Sequence, residues 1–141
     1  MTGKKVNPFK LRDFRDVNLN HVERLEALGI KTAEKLLAAG CTRQQRLELA
    51  SQVDIPEEAI FELVKLSDLA RLPGVKGIRA RLYYDAGVDS VAKFASADPE
   101  QLRNLVTEFA ERTHFDGVPP LPKEVSSTVE NAKKLPIIVE S

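Results

Sequence analysis

The stretch from Leu72 to Ala80 is a glycine-rich turn between two apolar helical runs, and it constrains the fold more than any other part of this 141-residue chain. Because one apolar run precedes the turn and another follows it, the pattern predicts two short helices joined by a tight connection. The first amides of a helix lack partners within the helix, and the helix dipole favours negative charge there. With Lys76, Arg79 and Arg81 in or just after the turn, the natural ligand is a phosphate group.

The same pattern occurs twice in the chain. Residues 25–41 align without gaps on residues 72–88, at a constant offset of 47 positions. Gly40, which ends the helix of the first copy, falls on Gly87 of the second. We therefore expect one pseudo-symmetric domain, in which each of two similar units covers the apolar side of the other.

Both segments resemble helix-hairpin-helix motifs, in which an apolar-Pro-Gly-apolar-Gly turn precedes a helix that ends in Ala-Gly. Over roughly residues 18–135, the chain is similar to a small family built on a domain of unknown function, with two such units and a helical insert between them. Together with the helix signals, this resemblance predicts a flexible arm over 1–8 and a single helical domain over 9–135. Within that domain we expect the first unit over about 18–41, the insert over 42–70, the second unit over about 60–95 and C-terminal helices over 98–135, followed by a tail over 136–141.

The two copies depart from the motif at different glycines. The second copy keeps Gly74 but has Lys76 at the next glycine position, and the first copy keeps Gly29 but has Ala27 at the earlier one. Glycine serves such a turn by permitting positive φ and a close approach of the backbone to a ligand. We expect Gly77 to shift the second turn by one residue and to compensate in part.

The resemblance implies that the turns contact the nucleic-acid backbone, mainly duplex DNA, without reading its sequence. The expected phosphate-binding residues are Gly29, Lys31, Thr32 and Lys35 in the first copy and Gly74, Val75, Lys76, Gly77, Arg79 and Arg81 in the second. We expect the second turn to carry more of the contact, because it has three cations close together. The same motif also serves in protein–protein contacts, so an adaptor that uses the same helices is the alternative, and the choice between DNA and RNA stays open.

Charge is distributed unevenly along a chain whose net charge is zero. The net charge is +4 over residues 1–50, −4 over 51–69, +3 over 70–93 and −3 over 94–141. A dedicated nucleic-acid binder usually has a basic excess, and this chain lacks one. Both motif segments are nevertheless positive, which is what a basic face on a neutral protein would produce. An ordinary mixed surface is the other interpretation.

The residues that carry chemistry do not predict an enzyme. His21 and His114 are the only histidines and Cys41 is the only cysteine, so the spacing needed for a transition-metal site is absent from the sequence, and no cofactor is expected. Tyr83 and Tyr84 could stack on bases, but in the aligned copy both positions are leucines, so we expect both rings in the core.

Helix start signals recur along the whole chain and predict an all-α fold. Thr42 with Gln45 forms a capping box, and Asp98 precedes a proline at the first helical position. The apolar face of the helix after Thr42 is expected at Leu47, Ala50 and Val53. The apolar tail at 137–139 either packs back on the domain or pairs as one strand with the N-terminal arm. The single cysteine and the lack of a signal peptide or long apolar run predict a cytoplasmic protein.

Overall fold

The computed structural model describes residues 9–141 and contains eight α-helices and no strand within that range. A short 3-10 turn, Leu11–Asp13, comes first. The helices are α1 Leu19–Ala27, α2 Ala33–Gly40, α3 Arg43–Val53, α4 Glu57–Leu69, α5 Gly77–Asp85, α6 Val91–Ala95, α7 Pro99–Arg112 and α8 Pro122–Lys134. The all-α prediction is therefore confirmed, while the predicted arm over 1–8 lies outside the described residues. None of the eight helices has the length and apolar character needed to cross a bilayer.

Five of the eight helices begin at a side-chain cap, among them the two caps that the sequence predicts at Thr42 and Asp98. A capping side chain accepts an amide hydrogen in the first helical turn and so replaces a missing backbone partner. The capping box at Thr42 and Gln45 is present, and Asp98 accepts from the amide of Gln101. The caps of the remaining three helices that begin this way are Asn18, Thr32 and Ser90.

Two glycine turns have the same backbone geometry. Gly29 follows α1 with φ of 90°, and Gly87 follows α5 with φ of 103°. In each turn the next amide donates to a carbonyl five residues back, from Ile30 to Leu25 and from Val88 to Tyr83. This bonding pattern closes a helix by satisfying its last carbonyls. In both cases the next helix begins at a hydroxyl cap, which is Thr32 after the first turn and Ser90 after the second.

The equivalence of these turns corrects the register expected from the sequence. At an offset of 47 positions Gly29 falls on Lys76, but Lys76 has a φ of −116° and is the residue before α5. The turns that match in backbone geometry are 58 positions apart and pair Gly29 with Gly87. Glycines at helix ends recur for local reasons, so an alignment scored on a few glycines and alanines does not identify the right pair.

The core is one cluster of buried apolar side chains to which all eight helices contribute. Helix α4 packs against α2, α3 and α5, and helix α8 packs against α6 and α7. Contacts between α5 and α7 join the two groups. Between α5 and α6, the rings of Tyr83 and Phe94 meet edge to face with centroids 4.7 Å apart. The core therefore places α5 between the two groups.

Helix α3 turns only part of its expected face to the core, since Ala50 and Val53 pack against it and Leu47 does not. Leu49 and Arg46 are buried, with Arg46 fully so, while Leu47 is 43% exposed. The expectation of Leu47 as part of the buried face is wrong, because Arg46 and Leu49 occupy the buried side of the helix. Arg46 is instead accommodated by acceptors on three other parts of the chain.

The Arg46 guanidinium holds the C-terminal tail against the α2–α3 junction. It donates to the carbonyl oxygens of Gly40 at 3.0 Å and Glu140 at 2.5 Å, and its Nε lies 3.3 Å from a carboxylate oxygen of Glu57. The amide of Glu140 in turn donates to the carbonyl of Cys41 at 2.7 Å. Of the apolar tail residues expected to pack or pair, Val139 packs against the core, whereas Ile137 and Ile138 are exposed.

Replacing Arg46 with methionine should destabilise the fold by about 2–4 kcal/mol, because buried carbonyls lose their donors. Urea denaturation measures this loss, and hydrogen exchange at the Glu140 amide should accelerate as the tail detaches. Arg43→Met is the matched control in the same helix, since the Arg43 side chain is exposed. Equal stabilities of the two variants would contradict the role given to Arg46.

Candidate nucleic-acid interface

Residues 9–16, here called the bracing segment, cross the N-terminus of α2. The amide of Leu11 donates to the carbonyl of Lys31 at 3.0 Å, and the amide of Ala33 donates to the carbonyl of Phe9 at 2.8 Å. Lys10 and Thr32 form an isolated antiparallel bridge between these two bonds. The segment therefore lies directly on the first predicted phosphate turn.

The amides of the first turn are largely engaged within the protein. The amide of Ala33 has Phe9 as its acceptor, and the amide of Lys35 donates to the Thr32 hydroxyl at 3.2 Å. Thr32 thus acts as the cap of α2. Gly29 is exposed in its turn, and Lys31 and Lys35 are also exposed. What this turn offers to a ligand is lysine side chains rather than a row of open amides.

The bracing segment then reaches the N-terminus of α5. Gly77 is buried there, and a Cβ atom added to it would clash with the carbonyl oxygen of Asp13. The amide of Arg15 donates to the Gly77 carbonyl at 3.4 Å. Gly77 was expected to bring the backbone close to a phosphate, but the group that approaches it is the chain's own backbone.

Arg81 is the site residue that the structure places furthest from its expected role. It is 7% exposed, and its guanidinium donates to the carbonyls of Arg15 at 2.8 Å and Asp16 at 3.3 Å. It also pairs with Glu62 at 2.8 Å and with Asp85 at 3.6 Å. Arg81 therefore fastens the bracing segment to α5 and has its donors occupied by protein groups.

The Gly74 turn faces helix α8. Gly74 has a φ of 81° with no atom within 4 Å of an added Cβ, whereas Val75 is buried and its amide donates to the Leu72 carbonyl. Arg79 forms an ion pair with Glu124 of α8 at 3.2 Å. Between the turn and α8 lies a cavity of about 400 Å³. Of the three cations expected at this turn, Lys76 alone is exposed without an ion pair among the described residues.

Glu124 is engaged on both oxygens. One accepts the amide of Leu121 at 2.8 Å, and the other accepts from Arg79. The Leu121 amide, with the Arg79 guanidinium beside it, lowers the pKa of Glu124. Glu124 therefore stays charged in neutral solution and balances Arg79.

Tyr83 lines the same cavity from below and is 1% exposed. Its position in the core confirms the expectation from the sequence, and Tyr84 is half-buried beside Arg81, 5.4 Å from the ring centroid to the guanidinium carbon. Within residues 9–141, the Tyr83 hydroxyl has no hydrogen-bond partner. Burial raises the pKa of this hydroxyl to about 12.

Four exposed lysines surround the bracing segment: Lys10, Lys31, Lys35 and Lys76. The Lys10–Thr32 bridge brings Lys10 beside Lys31, and Lys35 follows Lys31 by one helical turn. Lys76 lines a recess together with Phe9, Ala33 and Glu34. In the part of the chain that the structure describes, none of the four ammonium groups belongs to an ion pair.

Sequence reasoning found three of these lysines and missed Lys10. Its place beside Lys31 depends on a backbone bridge that no local pattern indicates. Lys123, on the wall of the Gly74 cavity, was also missed. A lysine just after the helix-starting Pro122 looks like an ordinary surface residue in the sequence.

Comparison with known proteins gave one match. The family model described as Domain of unknown function (DUF4332) matches residues 16–135. This confirms the resemblance to a family built on a domain of unknown function. Neither the curated proteins nor the solved structures contained a match.

The contact between Gly77 and Asp13 can be tested with Gly77→Ala. We expect a loss of about 1–3 kcal/mol in unfolding free energy, because a methyl group must displace backbone. Hydrogen exchange at the Leu11 and Ala33 amides should also accelerate. Gly74→Ala is the comparison, since it introduces backbone strain at positive φ without a neighbouring atom. A gain in stability for Gly77→Ala, from the higher helix propensity of alanine, would show that the contact is absent.

Tyr83 should ionise far later than an ordinary tyrosine. The unfolded chain loses this proton near pH 10.0, and the folded protein near pH 12. Because the folded pKa is the higher one, the stabilisation is complete below pH 10 and is lost as the pH rises towards 12. Ultraviolet absorbance of tyrosinate measures the ionisation, and Tyr83→Phe should remove the later step while the Tyr84 signal stays. A single early step in the wild-type protein would contradict the burial of this hydroxyl.

Proposed function

Because the chain belongs to the DUF4332 family, whose description gives no function, we propose its role from its own surface: non-catalytic, sequence-nonspecific binding of the nucleic-acid backbone, with duplex DNA as the preferred ligand. The observation that carries this proposal is the group of exposed lysines at 10, 31, 35 and 76 around the bracing segment. Lysines neutralise phosphates and release condensed counterions, which accounts for most of non-specific affinity.

The helix-hairpin-helix assignment is part of this proposal. The two units are α1–α2 and α5–α6, since Gly29 and Gly87 close their first helices with the same hydrogen bonds. In the pseudo-symmetric arrangement that this pairing suggests, Lys31 of the first unit corresponds to Asp89 of the second.

This correspondence makes the first turn the phosphate-binding one. Asp89 accepts from Lys65 at 2.9 Å and Lys93 at 2.9 Å, so it places negative charge where the first turn has a lysine. At that position the second unit has a carboxylate that holds both neighbouring lysines in ion pairs, so it offers no unpaired lysine to a phosphate. The turn at Gly74, which the sequence-based expectation ranked first, follows the first turn in this proposal because Arg79 and Arg81 are paired with Glu124 and Glu62.

The contacts in this proposal come from side chains rather than from open backbone amides. A lysine ammonium is a compact charge on a flexible stem, and it follows phosphates without fixing their geometry. Such contacts carry no sequence information. Glu34 lies in the recess with Lys76 and weakens the field there, which fits weak binding by a protein without net positive charge.

Fluorescence anisotropy with a random-sequence duplex tests the proposal. We expect a dissociation constant of about 10⁻⁶–10⁻⁴ M and a steep loss of affinity with salt, because each neutralised phosphate contributes about −0.9 to the slope of log K against log salt. Lys31→Ala/Lys35→Ala should lower the affinity severalfold and reduce the steepness by about 2. Glu34→Gln should raise the affinity.

Lys133→Ala/Lys134→Ala on α8 is the matched control, since it removes two exposed charges away from the bracing segment. An equal loss of affinity in both double variants would contradict the assignment to the lysine group. If no binding occurs even at low salt, the adaptor alternative replaces this proposal. A duplex RNA of the same sequence separates the two nucleic acids.

A further inference from the structure

The cavity beside the Gly74 turn is separate from the lysine group and has the size of a small-molecule site. Its volume is about 400 Å³, within the range of ligand pockets. The floor is Tyr83, one side is the turn at 73–75, and the other side is the first half of α8 with Lys123 and Ser127. Gly74 leaves open space above its Cα, so a ligand meets backbone there.

Tyr83 is the observation that points to a ligand. Its side chain is 1% exposed and lines the cavity, yet its hydroxyl has no acceptor or donor among residues 9–141. Buried polar groups in native proteins are almost always hydrogen-bonded, and an exception needs a reason. The neighbouring Thr128 has a partner, because its hydroxyl donates to the Glu124 carbonyl at 2.8 Å. Among these two lining residues, Tyr83 is therefore the one whose hydroxyl has no partner in the described chain.

The charges on the cavity wall favour an anion. Arg79 and Glu124 balance each other at 3.2 Å, and the second oxygen of Glu124 is occupied by the Leu121 amide. Lys123 is exposed and has no ion pair in the described chain, so it leaves the wall with one net positive charge. The donors among the lining residues are the Arg79 guanidinium, the Lys123 ammonium and the hydroxyls of Tyr83 and Ser127, and they come from both α5 and α8.

We propose that this cavity binds a phosphate monoester, with Lys123 supplying the net positive charge and with Arg79 and the Tyr83 hydroxyl donating hydrogen bonds to its oxygens. A phosphate presents several acceptor oxygens in different directions, which matches donors on separate walls. A carboxylate presents its two oxygens in one plane, so it would leave either the Tyr83 hydroxyl or the donors of α8 without an acceptor. The remaining volume accommodates the organic part of the ester.

Isothermal titration calorimetry with glycerol 3-phosphate tests this proposal, and Tyr83→Phe is the decisive variant. The substitution keeps the ring against Phe94 and removes only the unpaired hydroxyl. We expect the thermal stability of the free protein to stay unchanged or to rise, while the affinity for the ester falls by about three- to tenfold. Tyr84→Phe, on the residue next to it but outside the cavity, should leave the affinity unchanged.

The charged wall is tested by Lys123→Ala against Lys133→Ala, two exposed lysines on α8. The first should weaken binding of the ester severalfold and the second should not. Inorganic phosphate should compete with the ester, and acetate at the same ionic strength should not. Equal competition by acetate would show a general anion site and overturn the proposal, as would an absence of heat with the ester.

If Tyr83→Phe lowers stability and leaves affinity intact, the hydroxyl is structural and the cavity has no such ligand. The duplex-binding measurements use a different surface, so either proposal can fail alone.

Discussion

The interaction on which the rest of the structure depends is the crossing of residues 9–16 over α2 and α5. Backbone hydrogen bonds hold this segment to α2, and the Arg81 guanidinium donates to two of its carbonyl oxygens. A third carbonyl, that of Asp13, packs directly against Gly77. Without this crossing, the apolar residues Leu11 and Phe14 would leave the core, where both are now buried. The segment also determines which parts of the two predicted turns remain accessible.

Glycines before helices have two different roles in this chain, and the sequence alone does not distinguish them. A glycine before a helix indicates a close backbone approach, but the sequence does not say whether a ligand or the protein makes it. At Gly77 the approaching group is a carbonyl of the same chain. At Gly74 the space is open and adjoins a cavity. The distinction depends on a segment more than sixty positions away, so it belongs to tertiary structure.

The features predicted correctly from the sequence are those that a few neighbouring residues determine. The box at Thr42 and the cap at Asp98 need only a side chain and an amide three positions on, and both are present. On α3, the burial of Arg46 was not predicted, because this side chain finds its acceptors on Gly40, Glu57 and Glu140. No hydrophobicity pattern identifies a buried arginine whose partners lie on other elements. For the candidate site the same limit applies: exposed lysines were found, but the engagement of Arg79 and Arg81 was not.

The bracing segment has a consequence for the order of folding during synthesis. Arg81 binds a carbonyl 66 positions earlier in the chain, so the segment emerges from the ribosome long before its partner exists. Local helices such as α2 to α4 can pack while the segment still has nothing to hold it on one side. Its contacts with α5 therefore form late, and in the finished protein the segment is a natural place for partial opening at a cost below that of global unfolding. Each such opening would free the Ala33 amide and the Gly77 surface together, so the two turns are uncovered in a single event.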